Sequence, residues 1–328
     1  MNKRFKTSLL AACLMAGLGL TSVASAQKWD MPVRSNMQNY FTRNLVQFSD
    51  DVKAATNGKF DIVIHPEDSL VKQPDVKRAV QTGQVPIGEL LMSMHSNENA
   101  VFGIDSVPFL TGNYEQGSKL LDATRPYLTE ILAKQGLKLL NVVPWPYNSF
   151  YSQDKLTSVS DFKGSKFRAF NPVTGRLAEL MGATPVTVQQ SEVSQAFSTG
   201  VINAMITSPA TGVDTQAWDF VKYFTDVRAM APWNILVVNQ KAFDKLGKDE
   251  QAALLKASDE AETRGWKMAE EETGKLIQML KDHGMTVDQP SDAMKAEFGP
   301  IHETLISEWI ASAPAEGKTI VDAYNKVK

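Results

Sequence analysis

The sequence predicts an α/β protein built as two domains, and three observations predict it. Short strand patterns alternate with amphipathic helix patterns from Trp29 to Val143, and the alternation restarts at Ser165; such alternation builds sheets layered with helices. No internal repeat, low-complexity tract or glycine-rich linker separates the two blocks, so structured crossings join them. Roughly 100–200 residues per domain gives about two domains for a chain of 328 residues.

The N-terminus stands apart. Lys3, Arg4 and Lys6 precede an apolar run from Leu9 to Leu20, and Ala24-Ser25-Ala26 supplies a small-residue cleavage site. This is the pattern of a secretory signal peptide, residues 1–26, and the run is too short for a comfortable membrane span. The rival reading, a lipoprotein box at Leu10-Ala11-Ala12-Cys13, is disfavoured because the apolar run continues past Cys13. Cleavage after Ala26 leaves 302 residues, 31 basic against 37 acidic side chains, and no cysteine. The expected product is periplasmic, carries no disulfide and relies on its core.

Trp29 to Val33 reads as a strand. Met37, Phe41, Leu45, Phe48 and Val52 recur at helical spacing, with Ser35 or Asn36 as cap and Asn57-Gly58 as stop. Phe60, Ile62 and Ile64 alternate as a strand. Pro74 opens a helix that ends near Gly83, and Val85 to Met92 is a buried strand. Asn113 with Gln116 resembles a capping box for the next helix, and Leu137 to Val143 is a strand. In the second block, strands fall at Ser165–Phe170, Thr184–Val188, Val201–Thr207 and Asn234–Val238. Asn171-Pro172 opens a helix ending at Gly182, and Ser191 caps one ending at Gly200. Lys248 to His283 is a charged, proline-free stretch that as one helix would span roughly 50 Å. A break at Gly265 or Gly274 is the alternative.

Composition excludes several functions. A net charge of −3 for the precursor and −6 for the expected product gives no basic face for nucleic acid. His65, His95, His283 and His302 have no metal-ligand spacing, so no metal or other cofactor is implied. There is no G-x-S-x-G elbow, Walker A loop or H-E-x-x-H, and no catalytic residue is assigned. One constellation carries chemistry. Asp161-Phe162-Lys163-Gly164-Ser165-Lys166-Phe167-Arg168 runs from a turn into a strand, and Asn171-Pro172 then starts a helix. Ligands of open α/β sheets collect at strand carboxyl ends beside helix N-termini. A guanidinium there can grip a carboxylate with two parallel hydrogen bonds. Position alone leaves open an interdomain salt bridge for Arg168 instead.

The segment Asp161 to Arg168 resembles the "D-x-K-G-x-K-x-R" motif of the periplasmic solute-binding proteins of tripartite ATP-independent periplasmic (TRAP) transporters, the dicarboxylate-binding-protein family. Met181-Gly182-Ala183-Thr184-Pro185-Val186 resembles its "G-A-x-P" turn, and Val107-Pro108-Phe109-Leu110 its "L-P-F-L". Ser191-Glu192-Val193 with Ala196 to Ala204 is similar to its "E-V-x-x-A-L-Q-x-G-x-V-D-G", and Leu246 onward to "L-x-x-E-x-Q". Order and spacing extend the likeness over nearly all of residues 28–325.

The resemblance implies a type II periplasmic-binding-protein fold. Its two lobes, 27–145 with 234–272 and 146–233 with 273–328, are braced by one long helix and hinged near Trp145 and Trp233. It implies a non-enzymatic, monomeric receptor that closes on a small organic acid and delivers it to small and large membrane permease subunits. Arg168 would bind the ligand carboxylate. Thr207 falls where an asparagine often contacts ligand, and Asn148 where sugar-acid binders carry a second arginine. Leu91, Met92 and Met94 replace a polar loop. Trp145, Phe170, Asn171 and Trp233, with Tyr147, Phe150 and Trp218, lie near expected pocket edges. These departures favour a monocarboxylate with an apolar body, such as a 2-oxo or aromatic acid, over sugar acids. Arg34 could supply a second positive charge, which keeps a dicarboxylate as the main competing ligand. A sensor-type binding protein is a rival to the transport role, and a secreted hydrolase a more distant one. Arg176, one turn into its helix, is expected at the surface.

Overall fold

The computed structural model describes residues 27–328. The expected signal segment and Cys13 lie outside the described residues. In chain order the first block comprises β1 (Gln27–Pro32), α1 (Tyr40–Ala55), β2 (Phe60–His65), α2 (Gln73–Thr82), β3 (Ile87–Leu91), α3 (Tyr114–Lys134) and β4 (Leu137–Pro144). The second comprises β5 (Asn148–Ser152), β6 (Lys166–Ala169), α4 (Pro172–Leu180), β7 (Thr184–Thr187), α5 (Val193–Ser198), β8 (Ala204–Thr207), α6 (Pro209–Asp214) and β9 (Tyr223–Met230). The chain then returns through β10 (Trp233–Asn239) and α7 (Gln240–Asp244) to α8 (Lys248–Asp282), β11 (Thr286–Asp288), α9 (Asp292–Ser312) and α10 (Gly317–Asn325).

Strand pairing divides the molecule into two lobes. In the first, β1 pairs in parallel with β2, and β10 lies antiparallel between β3 and β4. In the second, six strands run in the order β11-β9-β5-β8-β6-β7. The chain crosses between sheets after β4 and again between β9 and β10. This is the two-lobe α/β architecture of type II periplasmic binding proteins.

Local chemistry explains most elements. Phe41, Leu45, Phe48 and Val52 of α1 are buried, as their spacing requires. The cap is Asn39, whose Oδ1 accepts from Phe41 N–H at 2.9 Å, and neither Ser35 nor Asn36. Asn36 instead closes the preceding turn, accepting from the Gln38 and Asn39 amides, and Met37 is exposed there. Asn113 caps α3 by accepting from Gln116 N–H, while the Gln116 side chain accepts from Gly112 N–H and leaves the expected box half made. Ser191 caps nothing: a short 3-10 turn over Gln190–Glu192 leads into α5. Gly83 ends α2 with φ +76°, a left-handed conformation that favours glycine.

The 35 residues of α8 form one unbroken helix. Leu254, Ala257 and Ala261 pack in the core under β1 and β2, Ala269 in the central cluster, and Leu280 with Tyr151 and Phe224 behind the six-stranded sheet. Trp266 Nε1 donates to Val142 O at 2.9 Å. The helix is therefore fastened to both lobes. The chain end departs from the expected partition. Met294, Phe298, Ile301 and Leu305 of α9 join the central cluster, but Trp309, Ala313, Ile320 and Tyr324 pack with Leu120, Leu128 and Trp233 of the first lobe. The apolar face of α10 against α3 draws the last twenty residues back across the molecule.

Candidate functional site

Two sheet ends face each other across a cavity of about 260 Å³. The alternation of β6 turns Phe167 into the central core and sends Arg168 to the opposite face. Because β5 runs antiparallel to β8, Asn148 at the start of β5 lies beside Thr207 at the end of β8, and both share an edge with Arg168. From the first lobe, Leu91 ends β3 and Trp145 follows β4, beside Pro232 just before β10. Arg34, in the loop after β1, completes that wall.

Arg168 is 2 % exposed. Its Nε donates to Val188 O at 3.0 Å, and its guanidinium carbon lies 5.2 Å from the Phe170 ring centroid. No salt bridge to it exists among the described residues. Burial pushes the guanidinium down to about 9, and the like charge of Arg34 acts in the same direction. It stays cationic at neutral pH. A buried cation without an acid is costly, so the site is poised for an anion supplied from outside. The Asn148 amide and the Thr207 hydroxyl make no hydrogen bond among the described residues, although both residues are buried. They are available as donors. Leu91, Trp145, Phe170 and Pro232 supply the apolar surface.

Seven residues singled out from the sequence therefore meet at the cavity: Arg34, Leu91, Trp145, Asn148, Arg168, Phe170 and Thr207. Four do not line it. Met92 begins the 3-10 turn after β3 and is buried in the first-lobe core, opposite Leu91. Met94 packs against the central cluster. Trp233 points into the first-lobe core, and its neighbour Pro232 takes the wall position. Asn171 caps α4, and its Nδ2 donates to Ser93 Oγ at 2.9 Å and Ser106 Oγ at 3.1 Å, so it joins the lobes. Of the remaining aromatic residues, Phe150 is core, Tyr147 packs on Tyr114, and Trp218 stacks on His283. Arg176 is at the surface, paired with Glu179 and Glu308. Ser208 and Thr211 also line the cavity, and no sequence motif marks them for ligand; Ser208-Pro209 with Thr211 is a helix-start pattern, Thr211 N–H donating to Ser208 Oγ at 3.1 Å.

A second, larger cavity of about 650 Å³ adjoins the first through Arg34. Glu67, Asp68, Gln73, Gln190 and Asp214 line it. Asp214 bridges the lobes, accepting from Asn39 Nδ2 at 2.7 Å and Asn36 Nδ2 at 3.1 Å. Among the described residues, no cluster of three or more His, Cys, Asp or Glu side chains is arranged to hold a metal ion.

A two-lobed α/β molecule whose buried inter-lobe arginine has no acidic partner among the described residues has the form of a receptor for a small organic anion. The model of the bacterial extracellular solute-binding proteins, family 7, matches residues 35–312, and the chain belongs to that family. A Bordetella pertussis extracytoplasmic solute receptor, described as binding pyroglutamic acid, superposes with a TM-score of 0.90 at 45% identity, covering 92% of this chain and 100% of that one. A TRAP solute-binding protein from a marine metagenome, described as specific for pyroglutamate, has a TM-score of 0.90 at 39% identity, covering 92% and 99%. The C4-dicarboxylate-binding periplasmic protein of Rhodobacter capsulatus is 26% identical, covering 80% of this chain and 81% of that relative. The chain is a solute-binding protein of the TRAP type and not an enzyme.

Proposed function

We propose that the chain captures pyroglutamate or a closely similar small cyclic monocarboxylate and delivers it, as an exported monomer, to a TRAP membrane permease. The observation that carries this reading is the buried Arg168, which has no acidic partner among the described residues, at the end of a small, half-apolar cavity. The ligand carboxylate meets the guanidinium, the free donors of Asn148 and Thr207 meet the remaining polar atoms, and the ring lies against Trp145, Phe170 and Leu91. The pyroglutamate ligands of relatives at 45% and 39% identity support that ligand class. The apolar wall disfavours sugar acids.

Thermal unfolding of purified protein with and without pyroglutamate tests the proposal. Ligand at 100 times its dissociation constant adds about 2.7 kcal/mol of stability. Arg168→Ala should abolish the gain and Arg168→Lys should reduce it, since Lys lacks the planar fork. Undiminished binding by both variants overturns the carboxylate assignment.

A further inference from the structure

We infer that the cleft selects ligands by charge: Glu89, with Asp68 and Asp214, neutralises Arg34, leaving Arg168 as the cation to be met, so that monoanions are taken in preference to dianions. This rests on the monocarboxylate reading above and assigns the residues that set its charge preference.

Arg34 and Arg168 both line the inner cavity, and two cations there would suit a dicarboxylate. Their surroundings differ. Arg168 has no acidic side chain bearing on it, and the charged group that does bear on it is Arg34. Arg34 has three carboxylates bearing on it, Glu89, Asp68 and Asp214. Glu89 is buried on β3, and its Oε2 accepts from the Arg34 main-chain N–H at 3.5 Å. Glu89 Oε1 and Asp68 Oδ1 are buried and take no hydrogen bond among the described residues, so one oxygen of each carboxylate is left without a local partner.

The loop that carries Asp68 is held in place at a cost. Glu67 and Asp68 are consecutive non-glycine residues at φ 57° and 56°, a strained left-handed pair. The Asp68 N–H donates to Val33 O at 3.1 Å and the Glu67 N–H to Ser35 O at 3.3 Å, pinning this loop on either side of Arg34. None of the three acids forms a salt bridge with the Arg34 guanidinium among the described residues. The balance acts through space, and the Arg34 donors stay free to point inward over Trp145, whose ring centroid is 5.6 Å away. Three acids against two guanidiniums leave no surplus positive charge for a second carboxylate.

The test is calorimetric titration of the parent, Glu89→Gln and Asp68→Asn with pyroglutamate and with succinate, at pH 8. Burial pushes Glu89 up to about 7, so it is ionised there. The parent should prefer pyroglutamate, and each variant should shift the affinity ratio toward succinate by about tenfold, the effect of one removed charge several ångströms away. Asp68 lies in a loop, so its variant serves if the buried Glu89→Gln does not fold. A parent that binds pyroglutamate with a ratio unmoved in the folded variants, or one that binds succinate equally well, overturns the charge inference alone. A parent that binds neither acid overturns the ligand reading and this inference with it.

Discussion

The Asn171 side-chain amide donates to Ser93 Oγ at 2.9 Å, tying the start of α4 in the second lobe to the 3-10 turn after β3 in the first. Asp214 makes the matching tie on the other flank with Asn39 and Asn36. Each anchor lies close in sequence to a residue that lines the inner cavity: Asn171 follows Phe170, Ser93 follows Leu91 by two, Asn36 follows Arg34 by two, and Asp214 follows Thr211 by three. A ligand seated in the inner cavity would thus act on the same four short segments that tie the lobes together, and contacts from both lobes would favour the tied state.

That coupling predicts a kinetic effect without ligand contact. Ser93→Ala with Ser106→Ala removes both acceptors of the Asn171 amide and leaves its cap of α4 in place. Two hydrogen bonds at about 1 kcal/mol each predict roughly tenfold or greater acceleration of ligand dissociation. Association should change little, because the latch forms after encounter. Stopped-flow tryptophan fluorescence measures both rates, and a slowed association with unchanged dissociation would contradict the latch.

Arg168 predicts a trade between stability and binding. A buried guanidinium without an acid is destabilising until ligand arrives, so Arg168→Met should raise the stability of the free protein by about 1–3 kcal/mol. The same variant should gain nothing from pyroglutamate. Denaturant titrations with and without ligand give both quantities. A variant less stable than the parent in the absence of ligand would mean that the bond from Nε to Val188 O outweighs the buried charge.

Asp105 predicts a pH dependence. It is buried at the second crossing, where its Oδ2 accepts from Trp233 N–H at 2.6 Å, and burial raises its carboxyl from an ordinary 3.8 to about 7. The folded state holds the proton to higher pH than the unfolded state. Its contribution to stability is therefore fully present below about pH 4 and is lost as pH rises through about 7. Asp105→Asn keeps an acceptor for the Trp233 amide and removes the titration. The variant should gain on the parent by roughly 1–3 kcal/mol between pH 5 and pH 8. Chemical denaturation at the two pH values decides it; a constant gap would place the Asp105 pKa near its ordinary value.

Much of this arrangement is legible in the sequence where periodicity or a strong motif marks it. The α1 stripe, the α8 strut and the strand carrying Arg168 are of that kind. The pattern loses β5, because Asn148-Ser149-Phe150-Tyr151-Ser152 has no clean alternation, all five residues being buried. It loses β9 because Asp226 and Arg228 interrupt it, with Arg228 at φ 50°. It does not mark α9, which carries Pro300 in its interior. At the site, single-residue parity is what the sequence leaves open. Leu91 faces the cavity and Met92 the core because the strand ends between them, and Pro232 displaces Trp233 from the wall for the same reason. Asn171 has the right position for a ligand contact, and only its distance to Ser93 reveals that its amide is already engaged.

Gly265 and Gly274 lie within the unbroken α8, and their surroundings predict opposite responses to alanine. A Cβ at Gly274 meets nothing within 4 Å, so Gly274→Ala should gain helix propensity, about 1 kcal/mol, with no steric cost. A Cβ at Gly265 falls 2.6 and 2.7 Å from the two methyl carbons of Val143 and 2.8 Å from Asn44 Nδ2. Val143 lies on β4, which carries the chain to the first crossing, and Asn44 Nδ2 donates to Ala261 O at 2.9 Å while its Oδ1 accepts from Arg264 Nε at 2.7 Å. Relief of the overlap must push the helix away from β4 or break that pair of bonds. Overpacking of this kind costs about 1–3 kcal/mol, more than the propensity returns, so Gly265→Ala should be destabilising. Because α8 is fastened to both lobes, the displacement should also weaken ligand binding, whereas Gly274→Ala should leave it unchanged. Thermal unfolding of both variants with and without pyroglutamate separates the two effects, and a stabilised Gly265→Ala would show that glycine is not required for the close approach of α8 to β4.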